Sequence, residues 1–375
     1  MEERKLLRIW LSLKTMNRQS YAVKLQNHFG TIENIYNATR HDYLEIEGIR
    51  GEIANALSDK SLDKAKQVVY DTQKYGIDIL TEEDKHFPKA LLDISEPCSV
   101  IYKLGELPDW DNIFSITVVG TRKYDEYGQT AAERISSDLA KAGVTIVSGM
   151  ASGIDTFALR SALRIGAPTV AVMGCGLERA YPDENWKLMN DIIKTGCAIS
   201  EYPPYMPPKK ENFPKRNRIM CALGDGILAV QSPKRSGTHI TCEYARDMGK
   251  PVFAVPGSIF NPNCEGTNNL IKNGASAVTS GEDVLDHFPI RKNFLKPIEE
   301  KKEPDKEIVT DEKPIEGLSD DENKIISLLR RKDMNIEEIA ARGDFTITQL
   351  NGILPILEIE GYVKKMAGNN YKYNV

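Results

Sequence analysis

An excess of positive charge is missing from this chain of 375 residues: 49 lysines and arginines face 54 aspartates and glutamates, for a formal net charge of −5. That excludes a basic coat over the whole molecule, so a nucleic-acid site must be a local patch. No run approaches the ~18 apolar residues of a membrane-spanning helix. The six cysteines (Cys98, Cys175, Cys197, Cys221, Cys242, Cys264) include no CxxC pair, and the five histidines are scattered, so zinc-site spacing is lacking. Reduced cysteines in a cytoplasmic protein, with no metal and no cofactor, are the expectation. Three enzyme signatures are also missing: G-x-G-x-x-G after the first strand, the G-K-[ST] of a P-loop, and the G-x-S-x-G nucleophile elbow. No repeat occurs at a solenoid period.

What is present falls into four stretches. Residues 1–75 carry helical apolar periodicity and predict a small domain of the SAM or helix-hairpin-helix kind. Its opening, MEERKLLRIWLSL, reads as an amphipathic helix and not a signal peptide, since no small-residue cleavage site follows. The Ile46-Glu47-Gly48-Ile49 turn fits either a phosphate-holding hairpin between helices or a plain glycine turn. Residues 76–290 contain seven short runs that are apolar at nearly every position, from 116–119 to 275–278, mostly separated by helical stretches. Strands of that kind are buried on both faces, which predicts an α/β domain with a doubly wound, Rossmann-like parallel sheet. Residues 291–317 are rich in charge and proline and predict a flexible linker. Residues 318–375 predict three helices and a β-hairpin, a winged-helix pattern, with a turn at Ala367-Gly368-Asn369-Asn370. The third helix, 346–359, has no lysine or arginine, and Glu358 and Glu360 lie at its end. A DNA-reading role is therefore not expected of it, and a protein-contact or structural role fits better. Pro355 is expected to kink it.

A doubly wound sheet binds ligands beyond the carboxyl ends of its strands. Here those ends run into Gly120-Thr121-Arg122, Ser148-Gly149-Met150-Ala151-Ser152-Gly153, Gly174-Cys175-Gly176, Ser236-Gly237-Thr238 and Pro256-Gly257-Ser258. Small residues there let a ligand approach backbone N–H groups and helix N-termini, a floor suited to phosphates. Positive charge gathers nearby at Lys209, Lys210, Lys215, Arg216 and Arg218, against one acid, Glu211. Pro214 fits a helix start, which puts Arg216, Asn217 and Arg218 in a first turn. Cations there oppose the helix dipole unless an anion binds. The combination predicts a phosphodiester trough, with Phe213, Tyr181 and Tyr127 available to stack on the bases of a single strand.

The order of these motifs resembles the DNA processing protein A (DprA/Smf) family. The resemblance rests on Val119-Gly120-Thr121-Arg122 with Tyr127-Gly128, Ser148-Gly149-Met150-Ala151-Ser152-Gly153-Ile154-Asp155, Tyr181-Pro182 with Asn185, and Ser200-Glu201. It continues through Phe213-Pro214-Lys215-Arg216-Asn217-Arg218, Ser236-Gly237-Thr238 with Ala245, Ala254-Val255-Pro256-Gly257 and Gly266-Thr267-Asn268-Asn269-Leu270-Ile271. It spans nearly the whole central domain. It implies a cytoplasmic bacterial protein that binds single-stranded DNA without catalysis, shields incoming strands in natural transformation, loads the RecA recombinase and forms a homodimer. By motif, Arg122 would clamp a backbone phosphate. Ser148, Gly149 and Gly153 would offer N–H donors. Lys215, Arg216 and Arg218 would extend the positive trough, with Asn217 fixing the loop, and Ser236, Gly237 and Thr238 would close the other side. Two positions depart from the family and bear on the pocket's local shape: Met150 stands where glycine is frequent, and Leu159 where histidine is. The competing reading is a nucleoside monophosphate phosphoribohydrolase of the lysine-decarboxylase-like family. That family has Gly-Gly-x-Gly-Thr-x-x-Glu, whereas here Glu243 follows Thr238 at five residues and the glycine pair is missing. A scaffold without a ligand is the third reading.

Overall fold

The apolar periodicity of the first 74 residues becomes six helices: α1 (Glu2–Lys14), α2 (Gln19–Phe29), α3 (Ile32–Asn37), α4 (Arg40–Leu44), α5 (Gly51–Ser58) and α6 (Asp63–Lys74). Polar side chains set the starts of the short ones. Thr31 caps α3 by accepting the Asn34 N–H, and Thr39 forms a capping box with Asp42 at α4. Their buried faces, with Trp10, Leu25, Ile35 and Tyr43, join Tyr102, Met173 and Leu188 of the following region in one apolar core. The change of architecture near residue 75 is thus not a break between cores. The computed structural model describes residues 2–15, 19–110, 112–293, 295–298, 315, 317–331, 333–343, 345–366 and 370–374. They form two compact units, Met1–Lys301 and Lys302–Val375.

In the first unit the chain continues through β1 (Asp78–Thr81), β2 (Val100–Gly105), β3 (Ser115–Val119), α7 (Glu126–Lys141), β4 (Thr145–Ser148), α8 (Ile154–Ile165), β5 (Thr169–Met173), α9 (Trp186–Ile192), β6 (Cys197–Ser200) and α10 (Asn212–Leu223). It ends with β7 (Gly226–Ala229), α11 (Gly237–Asp247), β8 (Val252–Ala254), α12 (Glu265–Lys272), β9 (Ser276–Ala277), α13 (Gly281–Leu285) and α14 (Pro289–Lys292). The nine strands lie in the order β1-β2-β6-β5-β4-β3-β7-β8-β9. The seven apolar runs are the strands β3 to β9, all mutually parallel. β1 and β2 add an antiparallel edge, with Tyr102 opposite Ser200. β1 opens on Asp78, and Lys103 interrupts the apolar pattern of β2. Two cores flank the sheet: Ile135, Leu139 and Ala158 from α7 and α8 lie in one, Met220, Cys221 and Ala245 from α10 and α11 in the other. All six cysteines are buried thiols.

The first part of the stretch expected to be a linker stays attached to this unit. Leu295 and Ile298 pack against the α7 side of the sheet, and the Ile298 N–H donates to the Lys141 carbonyl at 2.9 Å. Residues 299–314 and 316 lie outside the described residues.

The second unit holds α15 (Asp320–Arg331), β10 (Met334–Asn335), α16 (Ile336–Gly343), α17 (Ile347–Ile359), β11 (Val363–Lys365) and β12 (Asn370–Tyr373), with the strands in the order β10-β12-β11. This is a winged helix around Ile325, Leu329, Leu350, Leu354 and Leu357. Thr346 and Gln349 form the capping box of α17. The expected turn at 367–369 lies outside the described residues.

Candidate nucleic-acid interface

β3 is the turning point of the sheet. The chain adds β4, β5 and β6 on one side of it, then crosses to add β7, β8 and β9 on the other. A crevice opens where the order reverses, beyond the carboxyl ends of β3 and β7. It is a cleft of about 270 Å³ lined by Gly120, Arg122, Asp155, Phe213, Arg216, Asn217, Ser236, Gly237 and Thr238, among others. Ser236 is the N-cap of α11: its hydroxyl accepts the Thr238 N–H at 3.2 Å. The positive end of that helix therefore faces the cleft. Arg122 stands exposed on the opposite lip, its guanidinium carbon 5.5 Å from the centre of the Phe213 ring. Tyr181 packs beside that ring at 5.2 Å. Among the described residues no acid forms an ion pair with Arg122, Lys209, Lys210 or Lys215.

Beneath the lip sits a buried pair of opposite charges. Arg216 donates to the carbonyls of Gly149, at 2.7 Å, and Val172, and to the Asn217 side chain at 3.1 Å. Burial lowers its pKa to about 10, and the facing Asp155 works against that shift. It stays charged at neutral pH. Asp155 is buried as well, and burial raises its pKa to about 6 despite Arg216, the Ala151 N–H, Arg122 and the Gly149 N–H. Asn217 donates to the Thr241 hydroxyl at 2.9 Å and so ties α10 to α11.

The cleft gathers Gly120, Arg122, Arg216, Asn217, Ser236, Gly237 and Thr238 from the expected set. The other positions have different work. Arg218 is no part of a trough: it is 2% exposed and bonded to Glu201, also 2% exposed, at 2.5 Å. α10 starts at Asn212, before Pro214, so Arg216 to Arg218 lie beyond its first turn, on a part of the helix buried from 216 to 223. Ser148 is buried and donates to the Val118 carbonyl. Gly149 and Ala151, two residues on, turn their N–H groups to Asp155, so they hold a carboxylate of the chain itself instead of an outside anion. Gly149 also makes room for Arg216: a β-carbon there would lie 2.5 Å from the guanidinium. Gly153 takes φ +87 and passes so close to Thr121 that a β-carbon would meet its carbonyl at 2.5 Å. Thr121 is buried and accepts the Lys123 N–H. Lys209 and Lys210 are exposed in the loop before α10, and Lys215 is half-buried in its first turn. Tyr127 donates its hydroxyl to the Pro256 carbonyl and does not line the cleft.

Met150 and Leu159, the two departures, are buried in the core shared with the N-terminal helices and leave the cleft wall untouched. Asn185 explains its place in the motif: its amide donates to the Met150 carbonyl and the Thr156 hydroxyl, both at 2.9 Å. Asp155 was legible only as a motif letter. A carboxylate two residues after a glycine-rich turn was the signal that its N–H groups were already committed. Glu243 is exposed on α11 and does not line the cleft.

Residues 78–289 match the family described as DNA recombination-mediator protein A, and residues 309–369 match the DprA winged helix domain. The chain is 35% identical over 266 residues to Protein Smf of a Synechocystis species, a match covering 70% of this chain and 67% of that one. To DNA processing protein DprA of Bacillus subtilis it is 33% identical over 250 residues, 67% of this chain and 82% of the relative. The X-ray structure of DprA from Streptococcus pneumoniae is similar with a TM-score of 0.67 at 32% identity, over 76% of this chain and 98% of that one. DprA from Helicobacter pylori, described for its single-stranded DNA binding mode, gives a TM-score of 0.51 at 30% identity, over 56% and 94%. With a Rossmann-like sheet, a winged helix and these relatives, the chain belongs to the DNA processing protein A (DprA/Smf) family.

Proposed function

We propose that this chain binds single-stranded DNA in the cleft between β3 and β7, and acts as a recombination mediator in natural transformation. In this reading it shields the incoming strand, hands it to RecA, works in the cytoplasm as a homodimer and carries out no catalysis. The observation that carries the proposal is the pairing of Arg122 with Phe213. An exposed cation, free of ion pairs among the described residues, stands over an aromatic ring, opposite the N-terminus of α11. Such a site offers a phosphate two positive poles and offers the neighbouring base a stacking face, which duplex DNA cannot use because its bases are already stacked. Gly120, Ser236, Gly237 and Thr238 supply the cleft walls, Arg216 and Asn217 its floor, and Lys209, Lys210 and Lys215 add field along the approach. Membership of the family supports the RecA and homodimer assignments. α17 supports a protein-contact role for the winged helix, since it carries no basic residue and exposes Ile356 and Ile359.

A binding titration against salt tests the reading. Affinity for single strands should exceed that for duplex, vary little with sequence and fall with salt, by ~0.7 in log–log slope per phosphate contact. Affinity independent of salt, or equal affinity for duplex, would refute it. Incubation with nucleoside monophosphates should release no free base.

A further inference from the structure

We infer that the strand's path does not end at Phe213 but continues onto a second aromatic station, Tyr205 with Tyr75, where the sheet meets the N-terminal helices. This extends the proposed DNA site and rests on that reading. Tyr205 lies in the loop Tyr202-Pro203-Pro204-Tyr205-Met206-Pro207-Pro208, directly before the exposed Lys209 and Lys210. Its ring meets Tyr75, at the end of α6, edge to face at 5.7 Å, and the two hydroxyls are 2.9 Å apart. Both rings face solvent, 45% and 37% exposed. Lys74 places its ammonium 5.3 Å from the Tyr75 ring. Asp71 and Glu178 also face Tyr205. Glu178 is buried and paired with Arg179. This end therefore offers a stacking face, and the charge comes from Lys209 and Lys210.

The two stations are joined by Gly174-Cys175-Gly176, a turn that the cleft itself does not use. A β-carbon on Gly174 would lie 3.0 Å from the Phe213 ring, and one on Gly176 would lie 3.0 Å from the Tyr205 nitrogen. The two glycines are two residues apart, at most ~7.6 Å. A strand leaving Phe213 thus reaches Tyr205 within a few nucleotides. The loop is held for display. Four prolines restrict its backbone, the Gly176 N–H donates to the Met206 carbonyl at 2.9 Å, and the Met206 N–H donates to the Pro203 carbonyl at 3.2 Å. Tyr205 itself adopts φ +65, a left-handed conformation unfavourable to a residue with a side chain. Such strain persists only where the surroundings impose it, and here it carries an exposed aromatic ring.

The test compares full-length variants on a thymidine dinucleotide, too short to touch both stations, and on a thymidine oligonucleotide of about 16 nucleotides, the upper end of single-strand site sizes. Tyr205→Ala should weaken binding of the longer strand roughly tenfold (~1.4 kcal/mol), with the shorter strand and the melting temperature unchanged. Tyr205→Phe keeps the ring and should bind as the parent does. Unchanged binding of the longer strand by Tyr205→Ala overturns the inference. So does an equal loss in Tyr205→Phe, which would assign the effect to the hydroxyl contact. Arg122→Ala separates the two levels. If it weakens both strands while Tyr205→Ala weakens neither, the extension fails and the cleft stands; if it weakens neither, the cleft itself fails. Should Tyr205→Ala not fold, photocrosslinking of the parent chain to a 5-iodouracil 16-mer decides: adducts at Tyr205 or Tyr75 support the path, and their absence there overturns it.

Discussion

Arg122 and Arg218 lie in motifs of the same family pattern, yet the structure predicts opposite consequences for removing them. Arg122 is exposed, free of ion pairs among the described residues, and beside an aromatic ring. Arg122→Ala should leave the melting temperature within about a degree of the parent, because among the described residues no buried group loses a hydrogen bond or ion pair and Asp155 keeps Arg216, the stronger of its two cationic neighbours. Its binding of single strands should fall by ~1.5–3 kcal/mol, the range for a hydrogen bond to a charged group, or roughly 10- to 150-fold. The log–log salt slope should drop by ~0.7 for one lost phosphate contact. Lysine at that position should recover only part, since an ammonium cannot grip two phosphate oxygens with a planar fork. Arg218→Ala does the reverse. It takes from the Glu201 carboxylate, 2% exposed, the guanidinium that donates to it at 2.5 Å. Removing one member of a buried pair costs ~3–5 kcal/mol. That should lower the melting temperature by several degrees or more, while the salt slope of whatever folds stays at the parental value. Anisotropy titrations at four salt concentrations, with thermal melts on the same samples, read both. A parental slope in Arg122→Ala, or a reduced slope with an intact melt in Arg218→Ala, would refute the assignment of the two arginines.

Three further outcomes follow from the geometry. Asp155 titrates near 6 beside the anion site, so single-strand affinity should rise as pH falls from 8 towards 5.5, and Asp155→Asn should flatten that profile at constant ionic strength. The same raised pKa makes stability fall as pH rises from about 4 through 6, since the folded chain retains a proton that the unfolded chain has released. Gly149→Ala forces a β-carbon to within 2.5 Å of the buried Arg216 and should cost ~1–3 kcal/mol in denaturant melts. A fragment ending at residue 301 should keep parental single-strand affinity, whereas one ending at 290 loses Leu295 and Ile298 from the α7 face and should melt lower; a drop of more than about tenfold for the longer fragment would give the winged helix a part in holding DNA.

The strands β3 to β8 were legible because burial on both faces writes itself as nearly unbroken apolar runs, while β9, exposed at both of its residues, was legible from the buried Ala275 and Val278 that flank it. β1 was not, because an edge strand bears a neighbour on one side only and tolerates Asp78; β2 lies between β1 and β6, but Lys103 breaks its apolar run after Tyr102. The cleft was legible where a residue acts through its own position, as Arg122 and Ser236 do. It was illegible where the outcome depends on distant partners. Lys209 to Arg218 reads as one basic patch, but the helix that carries its second half is walled in by the sheet and α11, and Glu201 meets Arg218 from 17 residues away. Nor does a glycine-rich turn reveal whether its N–H groups await a phosphate or have already met Asp155.

The contact between Gly149 and Arg216 makes two positions 67 residues apart a single unit of inheritance. A side chain can enter at 149 only if the guanidinium withdraws from 216. It would then abandon two carbonyls and leave Asp155 facing no buried cation. Neither position can drift first without passing through a less stable intermediate. A shorter residue at 216 should soften the cost of alanine at 149, so that the double variant is less damaged than the sum of the singles, with a coupling of ~0.5–3 kcal/mol for touching residues. Homologues diverging at this rim should therefore change both positions together or neither.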